Sequence, residues 1–462
     1  MTRLRSRSVL RWFLFVVLTF APTAPASTNH HVLLITIDGL AAYYLRDAAA
    51  PLPTLRKLAA EGASADGMMV ANPSITWPNH TTLVTGVYAE KHSVLFNGVL
   101  VRAGAGLSVR VDPKREKIDL VSGSTLFDLL QRSGYRTAGI NWPCTRNSRT
   151  LDDDFPDVPD SITYTTPKLR DELVAAGILK NSSNASFTAQ SAASRDQVWT
   201  AAASHVIRTR KPNFMLLHML VTDGLQHRYG PRTPAAYAAL AQADFQLREV
   251  LNALDQAGIR ERTTLFIVAD HGFEAVTNII HPNVLLRKNG WLETNLVSTT
   301  PAVFKARAQS VAEGGTAIVY LTDPKTKEED RPRVLQQLRE MDGVIDVIEP
   351  ESFAKLGLPA PEKNPQMGDF ILVARSNHAF SNQASGDEEI TPVTMTSGSP
   401  GSHGYLASNT NMNAVFVAVG RGIKRGVKLG LIDNRDVAPT MAHLLGQKLP
   451  NADGKVLMQV LE

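Results

Sequence analysis

Three stretches of this chain read as buried strands, and each runs into an acidic residue. Val-Leu-Leu-Ile-Thr-Ile ends at Asp38, Phe-Met-Leu-Leu-His-Met-Leu-Val-Thr at Asp223, and Thr-Thr-Leu-Phe-Ile-Val-Ala at Asp270, with His271 next. Apolar runs without alternation belong to strands covered on both faces, as in a parallel sheet between helices. In open sheets of that kind the ligand crevice lies beyond the carboxyl ends of the strands. Acids delivered there by separate strands therefore converge on one place.

The rest of the chain supports this architecture. Helical patterns at 54–61, 124–133, 196–210 and 233–257 alternate with strand patterns at 136–142, 214–223 and 263–270. A strand at 414–419 and a helix at 437–445 resume the alternation. Glycines close several helices, among them Gly62, Gly86 and Gly258. Pro78 sits where a first helical turn tolerates a missing N–H, so a helix over 78–85 is expected, with Thr76 just ahead of it. Residues 145–195 are polar and read as an irregular surface excursion near the site. Between 284 and 399 the pattern changes to strands at 317–321, 343–348 and 369–374 around a charged helix at 327–341. The expected fold is α/β, a mainly parallel sheet with helices on both faces, plus a small α+β insertion. The expected division is a leader at 1–26, a core of 27–283 with 400–462, and an inserted subdomain at 284–399.

The leader is read from its order of residue types. Arg3, Arg5, Arg7 and Arg11 precede an apolar run from Trp12 to Phe20, and Ala24-Pro25-Ala26 follows as a small-residue cleavage site. That is the pattern of a secretory signal cut after Ala26, and it implies a secreted or periplasmic protein. The apolar run is well short of the ~20 residues of a membrane span. The formal net charge of the whole chain is +4. Losing those four arginines leaves a formally neutral chain, which gives no reason to expect nucleic-acid binding. Cys144 has no second cysteine to pair with and reads as a small core filler. Nothing in the sequence sets an oligomeric state.

A single aspartate after a strand is ordinarily a turn or cap residue. Here three of them accompany His227, four residues beyond Asp223, and His403 in a Gly-Ser-His-Gly loop. Carboxylate oxygens and imidazole nitrogens in this mixture suit two divalent ions, zinc first, with manganese or iron able to use similar ligands. The expected division is Asp38, Asp270 and His271 around one ion and Asp223, His227 and His403 around the other. Three carboxylates against two such ions leave net positive charge for an anionic phosphoryl group. Thr76 is the expected nucleophile and a further metal ligand. Its hydroxyl is weak alone, but metal coordination and a helix N-terminus both favour its ionised form. His218, inside an apolar strand, reads as a core histidine, and His80 as packing or capping the helix after Thr76. Asp433 reads as a cap for the terminal helix.

Taken together, several short motifs resemble the alkaline phosphatase superfamily, and within it the nucleotide pyrophosphatase/phosphodiesterase (type I phosphodiesterase) family. They are Asp38-Gly39, Thr76-Trp77-Pro78-Asn79-His80 followed by Leu-Val-Thr-Gly, the Asp223/His227 pair, Asp270-His271-Gly272 and Gly401-Ser402-His403-Gly404. The match runs over 32–285 and 400–450. It implies an alkaline phosphatase-like fold and a hydrolase of phosphodiester or phosphoanhydride bonds in small-molecule substrates, nucleotides included. It also implies a covalent phospho-threonine at Thr76, zinc on the six Asp and His residues, and Asn97 holding a phosphoryl oxygen. Trp77 stands where the family usually has Phe, and its larger face is expected to stack on a planar leaving group. Gln226 and Ser93 each replace a Gly usual in the family. The spelling Thr222-Asp223 with Gln226-His227 also resembles phosphonoacetate hydrolase. Phosphomonoester or phosphonate hydrolysis on the same site is therefore the alternative.

Overall fold

The computed structural model describes residues 29–180, 183–297, 300–394 and 398–462, so the expected leader lies outside the described residues. At its centre is an eight-stranded sheet. In chain order its strands are β1 (His31–Ile37), β2 (Ala63–Met69), β3 (Thr137–Ile140), β4 (Asp153–Phe155), β5 (Phe214–Met219), β6 (Thr263–Val268), β7 (Phe416–Gly420) and β8 (Val427–Asp433). Across the sheet they run β8-β2-β7-β6-β1-β5-β3-β4. β1 pairs in parallel with β5 and β6, β3 with β4 and β5, and β2 with β8. β7 runs antiparallel to both β6 and β2. Every residue of β1, β5 and β6 is buried. Successive side chains point to opposite faces, so both faces of the sheet centre are covered.

The helices that matter for the site are α1 (Pro53–Glu61), α2 (Thr76–Thr85), α3 (Ala192–Arg210), α4 (Val221–Tyr229), α5 (Pro234–Gln256) and α6 (Val437–Leu444). Thr233 caps α5 by accepting the Ala236 N–H, ahead of Pro234 in its first turn. α2 ends at Gly86, whose left-handed φ of 70° lets its N–H reach the Thr82 carbonyl. Asp433 accepts the Arg435 N–H at the short turn that leads into α6. Among the described residues no helix is long and apolar enough to cross a membrane.

A second, four-stranded antiparallel sheet is built from Ala308–Ala312, Thr316–Leu321, Phe370–Ala374 and Val344–Ile348 in that spatial order. The helix Lys327–Glu340 accompanies it. Ile318, Tyr320 and Ile371 from this sheet pack with Leu95, Phe96 and Leu100.

Several expectations are corrected. The apolar run from Phe214 divides: the strand stops at Met219, and Asp223 lies in the first turn of α4. Residues 145–195 are not an irregular excursion. They supply edge strand β4 and helices whose Leu169, Leu173 and Phe187 enter the main core. The strand expected at 414–419 is antiparallel to its neighbours. Strands β2 and β8 were not expected. α2 begins at Thr76 itself, two residues earlier than the pattern implied.

Candidate metal centre

Strand directions decide where the polar residues go. Asp38 follows β1 directly, Asp270 comes two residues after the end of β6, and α4 starts just past β5. β2 runs the same way as β6, because each is antiparallel to β7. The carboxyl end of β2 therefore leads to Thr76 at the same edge of the sheet. β7 enters from that edge, which puts the preceding loop, with His403, there too. Five segments thus meet at one end of the sheet centre.

Ligand-type atoms of Asp38, Asp270 and His271 lie within 4.8 Å of one another, and so do those of Asp223, His227 and His403. These are the two triads expected. The rings of His271 and His403 stack at 3.7 Å between centroids, joining one triad to the other.

Hydrogen bonding orients the three histidines and Asp270. His227 Nδ1 is 3.0 Å from the Gly401 carbonyl, His271 Nδ1 3.1 Å from that of Gly272, and His403 Nδ1 3.1 Å from that of Ser74. A carbonyl only accepts, so each Nδ1 carries a proton and, in the neutral ring that a metal ion requires, each Nε2 presents a bare lone pair. Those Nε2 atoms face carboxylates: His271 is 3.4 Å from Asp38 Oδ1 and 3.3 Å from Asp270 Oδ2. His227 and His403 stand 3.3 and 3.5 Å from Asp223 Oδ1. Asp270 Oδ1 meanwhile accepts the N–H groups of Gly39 and His271, each at 3.1 Å. The atoms that face inward, Asp38 Oδ1, Asp223 Oδ1, Asp270 Oδ2 and His271 Nε2, have no hydrogen-bond partner. Buried acceptors turned toward one another without a donor are costly. A divalent cation among them removes that cost, so the donor set fits the expected metal ions.

The electrostatics agree. Burial and the neighbouring Asp270 and Asp223 charges push the Asp38 carboxyl well above the usual carboxylate range. Burial acts the same way on Asp270, but His271 and His80 outweigh it and hold its pKa down. Burial also opposes the charge on Asp223, where His227 and His403 prevail and lower its pKa. His227 is raised because the Asp223 carboxylate overcomes its desolvation. Burial, reinforced by His271 and His227, lowers His403.

Thr76, partly buried, opens α2 beside this cluster. Ser74, two residues earlier, accepts from His403, and His80, one turn later, lies 3.6 Å from Asp270 Oδ2. Asn97 is exposed, and its Oδ1 accepts the Trp77 N–H at 2.9 Å, which brings the Asn97 side chain to the N-terminus of α2. The Trp77 ring is 5% exposed and packs with Val94, Leu120 and Cys144, under the Arg146 guanidinium at 5.7 Å.

His80, His218 and Asp270 form a third close group. It has no free imidazole nitrogen. His80 uses Nδ1 on the Thr76 carbonyl and Nε2 on Thr36 Oγ1, both at 2.8 Å. His218 is engaged by Asp38 and Asn141.

Two contributors escaped the sequence reading. The Gly315 N–H donates to the His403 carbonyl at 2.9 Å, so the tip of the second sheet's first hairpin braces the His403 loop. Gly404, at φ 76°, lies so close to the Glu313 carbonyl oxygen that a Cβ would collide with it. The Gly314-Gly315 pair between two apolar strands was the available signal. Ser74 carried none.

The model of the type I phosphodiesterase / nucleotide pyrophosphatase family matches residues 32–406. Rat ectonucleotide pyrophosphatase/phosphodiesterase family member 1 is 23% identical over 440 residues, covering 92% of this chain and 42% of the relative. The venom phosphodiesterase of Naja atra is 24% identical over 247 residues, covering 53% of this chain and 26% of the relative. The chain thus spans between a quarter and less than half of the length of these relatives. Human ectonucleotide pyrophosphatase/phosphodiesterase 5 superposes with a TM-score of 0.69 at 18% identity, covering 94% of this chain and all of that one. An inactive variant of the murine counterpart, solved in complex with AMP, superposes with a TM-score of 0.66.

Proposed function

The chain belongs to the type I phosphodiesterase / nucleotide pyrophosphatase family, and from that premise we propose that it hydrolyses phosphodiester or phosphoanhydride bonds of small nucleotides through a phospho-threonine at Thr76. The observation that carries this reading is the pair of triads in which three inward-facing carboxylate oxygens and His271 Nε2 lack partners beside the first turn of α2. Asp38, Asp270, His271 and Thr76 would hold one divalent ion and Asp223, His227 and His403 the other, with zinc the expected identity. When bound, the ions supply positive charge to the phosphoryl oxygens and lower the proton affinity of the threonine hydroxyl.

The chain's own groups do the rest. Thr76 Oγ1 forms a bond to phosphorus while the bond to the leaving oxygen breaks; that oxygen takes the electron pair and ends with the proton the threonine hydroxyl gave up. A water then displaces Oγ1, its oxygen bonding to phosphorus and one of its protons returning to Oγ1. The positive end of the α2 dipole favours the negative charge that passes between these states, although the Trp77 N–H there is given to Asn97 and Pro78 has none. With Asn97 Oδ1 occupied by the Trp77 N–H, the amide's NH2 is left to donate to a non-bridging phosphoryl oxygen. Trp77 lies next to the nucleophile, but it is 5% exposed with Arg146 over its ring, so a planar leaving group would meet no more than that small exposed part. The AMP in the murine relative's complex supports a nucleotide as the substrate class. We also propose export, with the working chain beginning at Ser27, and a core of 27–283 with 400–462 carrying an insertion at 284–399.

The zinc-loaded protein is expected to release nitrophenol from a nucleotide nitrophenyl diester faster than from nitrophenyl phosphate, and not to cleave phosphonoacetate. Thr76→Ala should lower turnover about a thousandfold or more, and chelation should abolish it reversibly. Undiminished turnover in Thr76→Ala would reject the mechanism. Preference for the monoester or the phosphonate would move the assignment to the alternative substrates.

A further inference from the structure

His218 stands in β5 one strand away from Asp38, buried, with Nε2 2.9 Å from Asp38 Oδ2. Its other nitrogen, Nδ1, has two neighbours on one residue: the Asn141 side-chain Nδ2 at 3.4 Å and the Asn141 carbonyl at 3.2 Å. A neutral imidazole has one N–H, and these neighbours ask for opposite tautomers. Proton on Nδ1 would satisfy the Asn141 carbonyl but turn a bare Nε2 lone pair onto the Asp38 carboxylate. Proton on Nε2 lets His218 donate to Asp38 while Nδ1 accepts from the Asn141 amide. Asn141 is built for the second arrangement. It is buried, held at φ 56° just past β3, and its Nδ2 is anchored on the His218 carbonyl at 3.0 Å. A non-glycine residue in that conformation is strained, and its side-chain amide is the donor that favours this tautomer against its own carbonyl.

We propose that Asn141 and His218 form a positioning relay for the metal centre. Asn141 fixes the His218 tautomer, and His218 ties down Asp38 Oδ2, so that Oδ1 is the oxygen turned toward Asp270 and His271. Three observations support it. Asp38 Oδ1 is partnerless while Oδ2 is bonded. The Asp38 backbone is clamped separately, with its N–H on the Met219 carbonyl at 2.9 Å and its carbonyl accepting from Thr222 Oγ1, so the side chain is the part still in need of orientation. The His80 ring, 4.3 Å from that of His218, blocks rotation from the other side. A metal-ligating carboxylate depends on such outer hydrogen bonds for affinity, typically by 10–100-fold. The relay lies behind the ligands and makes no contact with substrate.

This inference rests on the two-ion reading, and metal binding tests both separately. Zinc stoichiometry and dissociation constants would be measured on the full chain by equilibrium dialysis and chelator competition. The wild-type chain should bind two equivalents. His218→Phe keeps the ring but loses the donor, and should weaken one of the two sites by roughly 10–100-fold while leaving the other unchanged. His218→Gln restores an N–H donor and should recover most of the loss, which a simple packing role would not produce. Asn141→Gly relieves the positive φ yet leaves only the carbonyl beside Nδ1, favouring the wrong tautomer. It should weaken the same site even if His218→Phe fails to fold. Wild-type affinity at both sites in His218→Phe or Asn141→Gly would overturn the relay. Fewer than two equivalents in the wild-type chain would overturn the two-ion reading beneath it.

Discussion

Histidine carries most of the chemistry of this fold, and the structure uses it in two opposite ways. At the metal centre, backbone carbonyls hold the proton on Nδ1 and leave Nε2 bare toward carboxylates. The other use is burial of a neutral ring. His92 shows the cost: it is fully buried, with Thr82 Oγ1 at 3.1 Å from Nε2 and the Val94 N–H at 3.1 Å from Nδ1. Burial lowers its pKa from 6.5 to about 3. Between those values the unfolded chain binds a proton that the folded chain refuses. Stability is therefore full above pH 6.5 and is lost as pH falls toward 3, by about 1.4 kcal/mol per pH unit for this residue. Urea midpoints of the metal-free protein at pH 7.5 and 5 should show the loss. His92→Gln, which cannot titrate, should lose less over the same interval. Equal losses in the two proteins would mean that His92 is already accessible to protons.

The element that places the second triad is α4. Its first N–H groups, of Leu220 and Val221, donate to the buried Asp196 carboxylate of α3 at 2.8–3.0 Å. A helix start needs such an acceptor, and here the cap also sets where Asp223 and His227 project. Asp196→Ala should cost about 2 kcal/mol, from the lost cap and two orphaned donors. It should also weaken zinc binding, whereas Asp196→Asn keeps an acceptor and most of both properties. Thermal melts with zinc titration would check this, and unchanged zinc affinity in Asp196→Ala would separate the cap from the site.

α4 also shows where sequence reading stops. The run from Phe214 to Val221 is apolar apart from His218, so periodicity has no means of marking the switch from strand to helix. The spacing of Asp223 and His227 did carry the information. Four residues along a strand span ~13 Å, but on a helix they are neighbours. β2 was hidden differently. Ala-Ser-Ala-Asp-Gly-Met-Met has no β-branched or aromatic residue, and only pairing with β7 and β8 makes it a strand. The acids after β1 and β6 were legible because long apolar runs ended on them. No local pattern announces Asn141 or Ser74, and Gly404, though inside the Gly-Ser-His-Gly motif, shows its fit against the Glu313 carbonyl only in the fold.

For the whole molecule, the two triads tie together segments from Asp38 to His403, crossing β1, β6, α4 and the loop before β7. No covalent link does this: the one cysteine, Cys144, is free and buried. An exported protein with that composition would depend on packing and bound ions for its durability. Ligands that bind only the folded chain stabilise it by mass action, about 2.7 kcal/mol per site at a hundredfold excess over the dissociation constant. The folded chain without cations must instead hold three carboxylates in one cluster, where burial and the Asp270 and Asp223 charges drive Asp38 toward its neutral form. Removing zinc should therefore lower the melting temperature by several degrees, and the loss should scale with the logarithm of free zinc when the ion is returned. A reducing agent at the same pH should change nothing. Calorimetry with chelator, with buffered zinc and with reductant separates these cases. Identical melting with and without chelator would mean that the elements around the triads hold their places without ions, and the unpartnered oxygens would then need another explanation.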